Sequence, residues 1–313
     1  MKELLLTYLF VFLTANLMGQ QLPTTSHYLT NRFYLNPAFA GIKPCSETNF
    51  GHRQQWVGFE GAPLTTFGTF NTRLFKDDKY PDEIHGIGLS LVQDRTGFIE
   101  RQYVRFAYAY HLKLNKNYRI SFGLYAGMQR YSHSYSDIRI PQKSLDPAFD
   151  PDEQISLVVP EVSPGIFMYN KSFFLGLSSF QIFPTRMYNI GTNDSRLGAH
   201  YYFMAGYRLR GRTLHYIPSF LLNFSAFAPP TMDISLMVDY QRNISFALGS
   251  KYLNSAYALV KFRIASTLSV GYVYEYALNE INRVSPTTHE FVVSISSCHQ
   301  EKETPKFFCP AYQ

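Results

Sequence analysis

The chain has 313 residues, 17% of them charged and 17% aromatic, with a formal net charge of +6. Charge this sparse falls below the roughly one quarter expected of a soluble domain, and the positive excess is spread along the chain, so it marks no nucleic-acid footprint. Past the leader there is no run of about 18 apolar residues, which excludes a bundle of membrane-crossing helices. Many aromatics, few charges and no long apolar run fit a membrane barrel, because half of each strand is polar and conceals the apolar half.

Residues 1–19 read as a signal peptide. Lys2 gives the positive start, Leu4 to Leu13 the apolar stretch, and Gly19 the small residue before a mature chain starting at Gln20 or Gln21. Residues 20–47 show no alternation. They carry the turn-rich Asn36-Pro37-Ala38-Phe39-Ala40-Gly41, expected on the periplasmic side or folded into a lumen.

Alternation begins near Thr48 and runs to Ser297. Strands are expected at about 48–57, 65–75 and 86–93, with Asp94 to Gly97 as a turn. The clearest hairpin follows. Val104, Phe106, Tyr108, Tyr110, Leu112 and Leu114 alternate with Arg105, Ala107, Ala109, His111 and Lys113. After Asn115-Lys116-Asn117 the pattern resumes, Ile120, Phe122, Leu124 and Met128 against Ser121, Gly123, Tyr125 and Gln129. Side chains alternate faces along a strand. Runs beyond about ten residues exceed the usual five or six and match a tilted membrane crossing. The apolar face should meet lipid, and Arg105, His111 and Gln129 should point inward.

Residues 132–158 form a long loop in which Asp146, Asp150, Asp152 and Glu153 could ligate calcium; a solvated acidic loop is the simpler reading. Further strands are expected at about 159–169, 172–181, 197–209, 214–226, 233–241, 244–252, 256–264, 268–277 and 289–297. A second long loop covers 182–196, a turn sits at Pro229-Pro230, and another loop covers 279–286. The total is about fourteen antiparallel strands, an even number that puts both termini at one end. The rhythm of short and long loops assigns that end to the periplasm. A tail, 298–313, follows. An exported chain meets an oxidising compartment. Cys298 and Cys309 are close enough to close a tail loop, which leaves Cys45 over; three free thiols are the alternative.

No G-x-S-x-G, P-loop or H-E-x-x-H motif is present, and His289-Glu290 lacks the second histidine of a metal site. A membrane hydrolase would need Ser or Asp beside His, and His85, His111, His133, His200, His215 and His289 are scattered. No catalytic residue, cofactor or metal is expected. Arg105, Lys113, Asp239 and Glu275 are expected to pair inside the barrel.

The most unusual stretch is Arg53 to Thr65, which holds the only Trp, Trp56, with Gly58, Phe59, Glu60, Gly61 and Pro63. Alone it reads as an interfacial Trp on a tight hairpin. Its Q-W-x-G-x-x-G-A-P-x-T pattern resembles the signature of the PorP/SprF family of outer-membrane proteins in the type IX secretion and gliding systems of Bacteroidetes. Asn36, Pro37 and Gly41 are similar to that family's N-P-A-x-A-G element. Further matches are Gly86 to Leu89, Asp94-Arg95-Thr96-Gly97, Ala107 to Tyr110, Gly176 to Ser178, Pro218-Ser219 and His289-Glu290. The tail after Ser297 departs from the pattern. The resemblance implies a non-enzymatic component in the outer membrane, among its lipids. It would export or hold an adhesin-like cargo through the cargo's C-terminal domain, beside other secretion components. The rival is a channel or hydrophobic-solute transporter.

Overall fold

The computed structural model describes residues 26–74, 82–134, 154–182, 198–225, 228–241, 243–252 and 254–297. They form one antiparallel sheet closed on itself. We number its strands β1 Glu47–Gln54, β2 Leu64–Leu74, β3 Glu83–Thr96, β4 Ile99–Lys113, β5 Arg119–Ser134, β6 Gln154–Tyr169, β7 Phe173–Phe180 and β8 His200–Tyr207. Then come β9 Leu214–Ser225, β10 Ala228–Tyr240, β11 Ile244–Lys251, β12 Ser255–Arg263, β13 Leu268–Ala277 and β14 Thr287–Ser296. The short piece Leu209–Arg210 continues β8 along β9, giving fourteen strands. Closure is made by β1 on β14, from Glu47 opposite Ser296 to Gln54 opposite His289. Full closure removes the unpaired edges that an open sheet would expose. No helix among the described residues is long and apolar enough to cross a membrane.

The strand faces follow the sequence. Phe106, Tyr108, Phe122, Leu124 and Met128 are exposed on the outer face, while Arg105, His111 and Gln129 are buried inside. Four expectations differ. The loop expected at 132–158 is shorter at both ends, because β5 and β6 stay paired from Ser132 opposite Ser156 to Ser134 opposite Gln154. Strand β3 runs through Asp94 to Thr96 and turns at Gly97-Phe98, because Asp94 is drawn inward by Thr65, whose hydroxyl donates at 2.7 Å. Pro229 and Pro230 lie within β10, not at a turn. Lys113 stands at the rim and pairs with Asp82, not with a lumenal acid.

Strand β7 pairs with β6 only between Gly165 and Tyr169. Past Ser178 its alternation stops, and Ser179, Phe180 and Gln181 are all buried. Gln181 has φ +56°. The anchor is Phe180, which packs against Tyr125 and edge-on against Tyr202, with the Arg105 guanidinium 4.9 Å from its ring. Pro160 and Pro164, which lack an N–H, lie on the stretch of β6 that β7 has left, where proline does least harm to a sheet.

The lumen is filled from residue 26 by a descending segment of three short 3-10 turns, Ser26–Leu29, Arg32–Tyr34 and Pro37–Phe39. Tyr28, Leu29, Phe33, Leu35, Ala38 and Phe39 of this segment are buried within the barrel. Such short turns leave many carbonyls without backbone donors, and buried carbonyls need partners. The wall supplies them. Tyr125 donates to Phe33 O, Ser178 to Leu35 O at 2.6 Å and Ser121 to Ala38 O at 2.7 Å. His111 Nε2 donates to Ala40 O at 2.7 Å, and Arg73 donates to Gly41 O and Ile42 O. The His111 Nδ1 lies 3.1 Å from the Tyr169 hydroxyl.

Cys45, between this plug and β1, is disulfide-bonded. It is therefore not the leftover thiol that a Cys298–Cys309 loop would leave; those two residues lie outside the described ones. Cys45 Sγ lies 3.6 Å from Ser296 Oγ on the last strand.

Candidate functional site

The short motifs around Asn36 and Trp56 fall in two places. Asn36, Pro37 and Gly41 lie where the plug meets the wall. Asn36 caps the third turn through Oδ1, which accepts from Ala38 N–H at 2.9 Å, and its Nδ2 donates to Ile166 O at 3.1 Å and Leu177 O at 3.0 Å. Pro37 opens that turn with its φ preset. Gly41 has φ +73° against Gly86. A Cβ on Gly86 would overlap the Ala40 carbonyl, and one on Gly123 the Ala38 backbone. These contacts are structural.

The second place is the rim opposite the ends of β1 and β14 where the chain enters and leaves the wall. The hairpin 55–63 closes with Gln55 N donating to Pro63 O at 3.0 Å. Two turns follow inside it, Phe59 N to Trp56 O and Ala62 N to Phe59 O, both 3.1 Å. Trp56, Gly58 and Gly61 all have positive φ, +50°, +96° and +73°. Glycine tolerates that region, whereas a tryptophan there is held by its surroundings. The surroundings are visible. Trp56 N donates to Thr288 Oγ1 at 3.2 Å and Val57 N to Thr287 O at 2.9 Å, while Ser285 donates to Val57 O at 2.7 Å. On the other flank Gly97 N donates to Gly61 O at 2.8 Å. The hairpin is therefore pinned to both neighbours, and Gly58, Phe59 and Glu60 project from it exposed.

Beneath Trp56 is a cavity of about 310 Å³ that reaches the turn residues Asn254 and Asn279. Its charged wall is a buried cluster. Arg53 bonds Glu275 at 3.1 Å and Glu290 at 3.5 Å, and Lys251 bonds Glu275 at 2.8 Å. Asp233 accepts from Tyr28 at 3.0 Å and Tyr257 at 2.8 Å. Each buried charge is thus paired or hydrogen-bonded, as burial demands.

The remaining candidates separate by strand parity. Asp94 points inward and Arg95 outward; Glu290 points inward to Arg53, and His289 lies outward against Tyr272, its Nδ1 at 2.7 Å from the hydroxyl. The acidic loop at 146–153 and the loop at 182–196 fall largely outside the described residues. Among the described residues no group of three or more His, Cys, Asp or Glu could hold a metal ion. Sequence reasoning missed Arg53, Lys251 and Asp233 as a cluster. Their periodicity showed only that they face inward, and their meeting depends on how the barrel closes.

Residues 17–295 match the model of the type IX secretion system membrane protein PorP/SprF. The chain belongs to the PorP/SprF family. No curated protein matches it. Among solved structures it is similar to the Ralstonia pickettii toluene transporter TbuX, at 10% identity over 83% of this chain and 91% of that one, with a TM-score of 0.49. It is also similar to a triple mutant of the Rhodopseudomonas blastica porin, at 9% identity over 80% of this chain and 98% of that one, with a TM-score of 0.34. This PorP/SprF protein is thus a membrane component of type IX secretion built as a closed fourteen-strand barrel.

Proposed function

We propose that the protein is a non-enzymatic outer-membrane component that exports, or holds at the cell surface, an adhesin-like cargo through the cargo's C-terminal domain. The termini face the periplasm, so the rim carrying Trp56 faces out and is the docking surface. The observation that carries this reading is the hairpin 55–63. It is pinned on both flanks while Phe59 is 44% exposed at its tip. A rigid support under an exposed aromatic is how binding anchors are presented. The rest of the secretion machinery engages the barrel from the periplasmic side. A channel for hydrophobic solutes fits less well with a lumen packed by residues 26–42.

The test is co-purification of cargo with Phe59→Ala and Glu60→Ala together. Cargo recovery should fall severalfold with the barrel intact, since an exposed tip changes stability by only about 0.5 kcal/mol. Unchanged cargo recovery would sink the reading, as would steady large conductance of the purified barrel in a planar bilayer.

A further inference from the structure

The cavity beneath Trp56 asks for a ligand of its own. At about 310 Å³ it is at the small end of small-molecule sites, which hold roughly 300–1,000 Å³. It opens at the rim, where Asn254 and Asn279 are exposed and Gln55 and Trp56 are half-buried. Inside it lies Arg53, 2% exposed. The end nitrogens of its guanidinium meet Glu275 and Glu290, but its Nε–H has no acceptor among the described residues. Buried donors are rarely left so, because an unmade hydrogen bond there is costly. The charges then narrow the chemistry. Asp233, Glu275 and Glu290 outnumber Arg53 and Lys251 by one, which disfavours a carboxylate or phosphate. An ammonium brings no acceptor for Arg53. What fits is a neutral ligand rich in acceptors.

We propose that this cavity is a saccharide site, sized for one or two pyranose rings. Gln55, Thr231, Asn254 and Asn279 come from four different stretches of the wall, and each side chain both donates and accepts, as every sugar hydroxyl does. A sugar ring carries hydroxyls on all sides and can reach several of these groups together. A neutral peptide in the same space offers one N–H and one carbonyl per residue, strung along a line. Trp56 supplies a flat apolar face for the C–H side of a ring, with its indole N–H as a polar handle. That face is preset. The Trp56 backbone has φ +50° and is tied to Thr288 and, through Val57, to Thr287, so little ordering is left to be done on binding. A sugar oxygen on Arg53 Nε completes the site. The inference uses the cavity alone and stands whether or not cargo docks on the hairpin.

Trp56 is the only tryptophan, so its emission reports on the site without an added label. The protein is purified in lauryldimethylamine oxide, because a maltoside detergent would itself be a ligand, and titrated with maltose, lactose and N,N′-diacetylchitobiose. Glycerol and the neutral peptide acetyl-trialanine amide are the controls. At least one disaccharide should shift the emission saturably, and neither control should. Asn254→Ala combined with Asn279→Ala, both on exposed turns, should weaken that binding at least about fivefold, the worth of one hydrogen bond, with the thermal midpoint unmoved. The proposal is overturned if no disaccharide gives a saturable shift, if the peptide alone does, or if the double variant binds the sugar as tightly as the parent. The second of these results would give the cavity to a peptide.

Discussion

Two halves of one lumen are built differently. Beside β3 to β6 the plug lies against glycine. Gly86, Gly88, Gly123 and Gly165 admit Ala40, Phe33, Ala38 and Asn36 where any Cβ would collide. The polar contacts there are mostly neutral donors reaching plug carbonyls. Beside β10 to β14 the plug meets the wall through charged groups, Ser26 on Glu290 and Glu275 and Tyr28 on Asp233, and Arg53 and Lys251 join these acids beside a cavity. One half is specified by volume, the other by charge. The first fixes where the plug goes. The second leaves room under the rim.

Removing charge should hurt the second half most. Arg53→Met leaves Glu290 without its guanidinium and Glu275 with Lys251 alone. Breaking a buried pair from one side costs about 3–5 kcal/mol, so this variant should show the largest fall in thermal midpoint in detergent. Arg53→Met combined with Glu290→Gln should recover part of the loss; no recovery would mean the arginine acts through packing. Adding volume should hurt the first half. Gly123→Val drives two methyls and a Cβ into the Ala38 backbone. Overpacking of this kind costs about 3 kcal/mol or more. The expected readout is protease access to residues 33–42 with the wall still β-rich by circular dichroism.

The sequence made the wall legible and the lumen only in outline. A period of two is a strong signal over fourteen residues, so the hairpin of β4 and β5 shows its lipid face before any coordinates. Its turn holds Asn115 and Asn117, and those after β10 and β11 hold Asn243 and Asn254. What hid was anything set by closure. Arg53 and Glu290 are 237 positions apart and face each other only because β1 pairs with β14. The parting of β7 from β6 past Ser178 hid too, because Phe180 keeps the alternation in the sequence and stays paired with His200 of β8. Asp94 misled in the other direction. Asp-Arg-Thr-Gly has turn chemistry, yet Thr65 on the next strand holds the carboxylate inside and the strand runs on. The Asn36 and Trp56 motifs could be found by eye, but not separated into one structural and one presenting role until their partners were in view.

The smallest expected effect is the sharpest test of the two-halves contrast, because it repeats the Gly123 experiment where room exists. Thr231 lines the cavity and is only partly buried. Thr231→Leu adds one side-chain heavy atom net where Gly123→Val adds three, removes a hydroxyl and disturbs no ion pair. If the cavity is real space, the side chain enters it and stability changes by about 0.5 kcal/mol or less, as at a tolerant surface site. A loss comparable with that of Gly123→Val would mean that both halves are close-packed and that the rim has no room to receive anything.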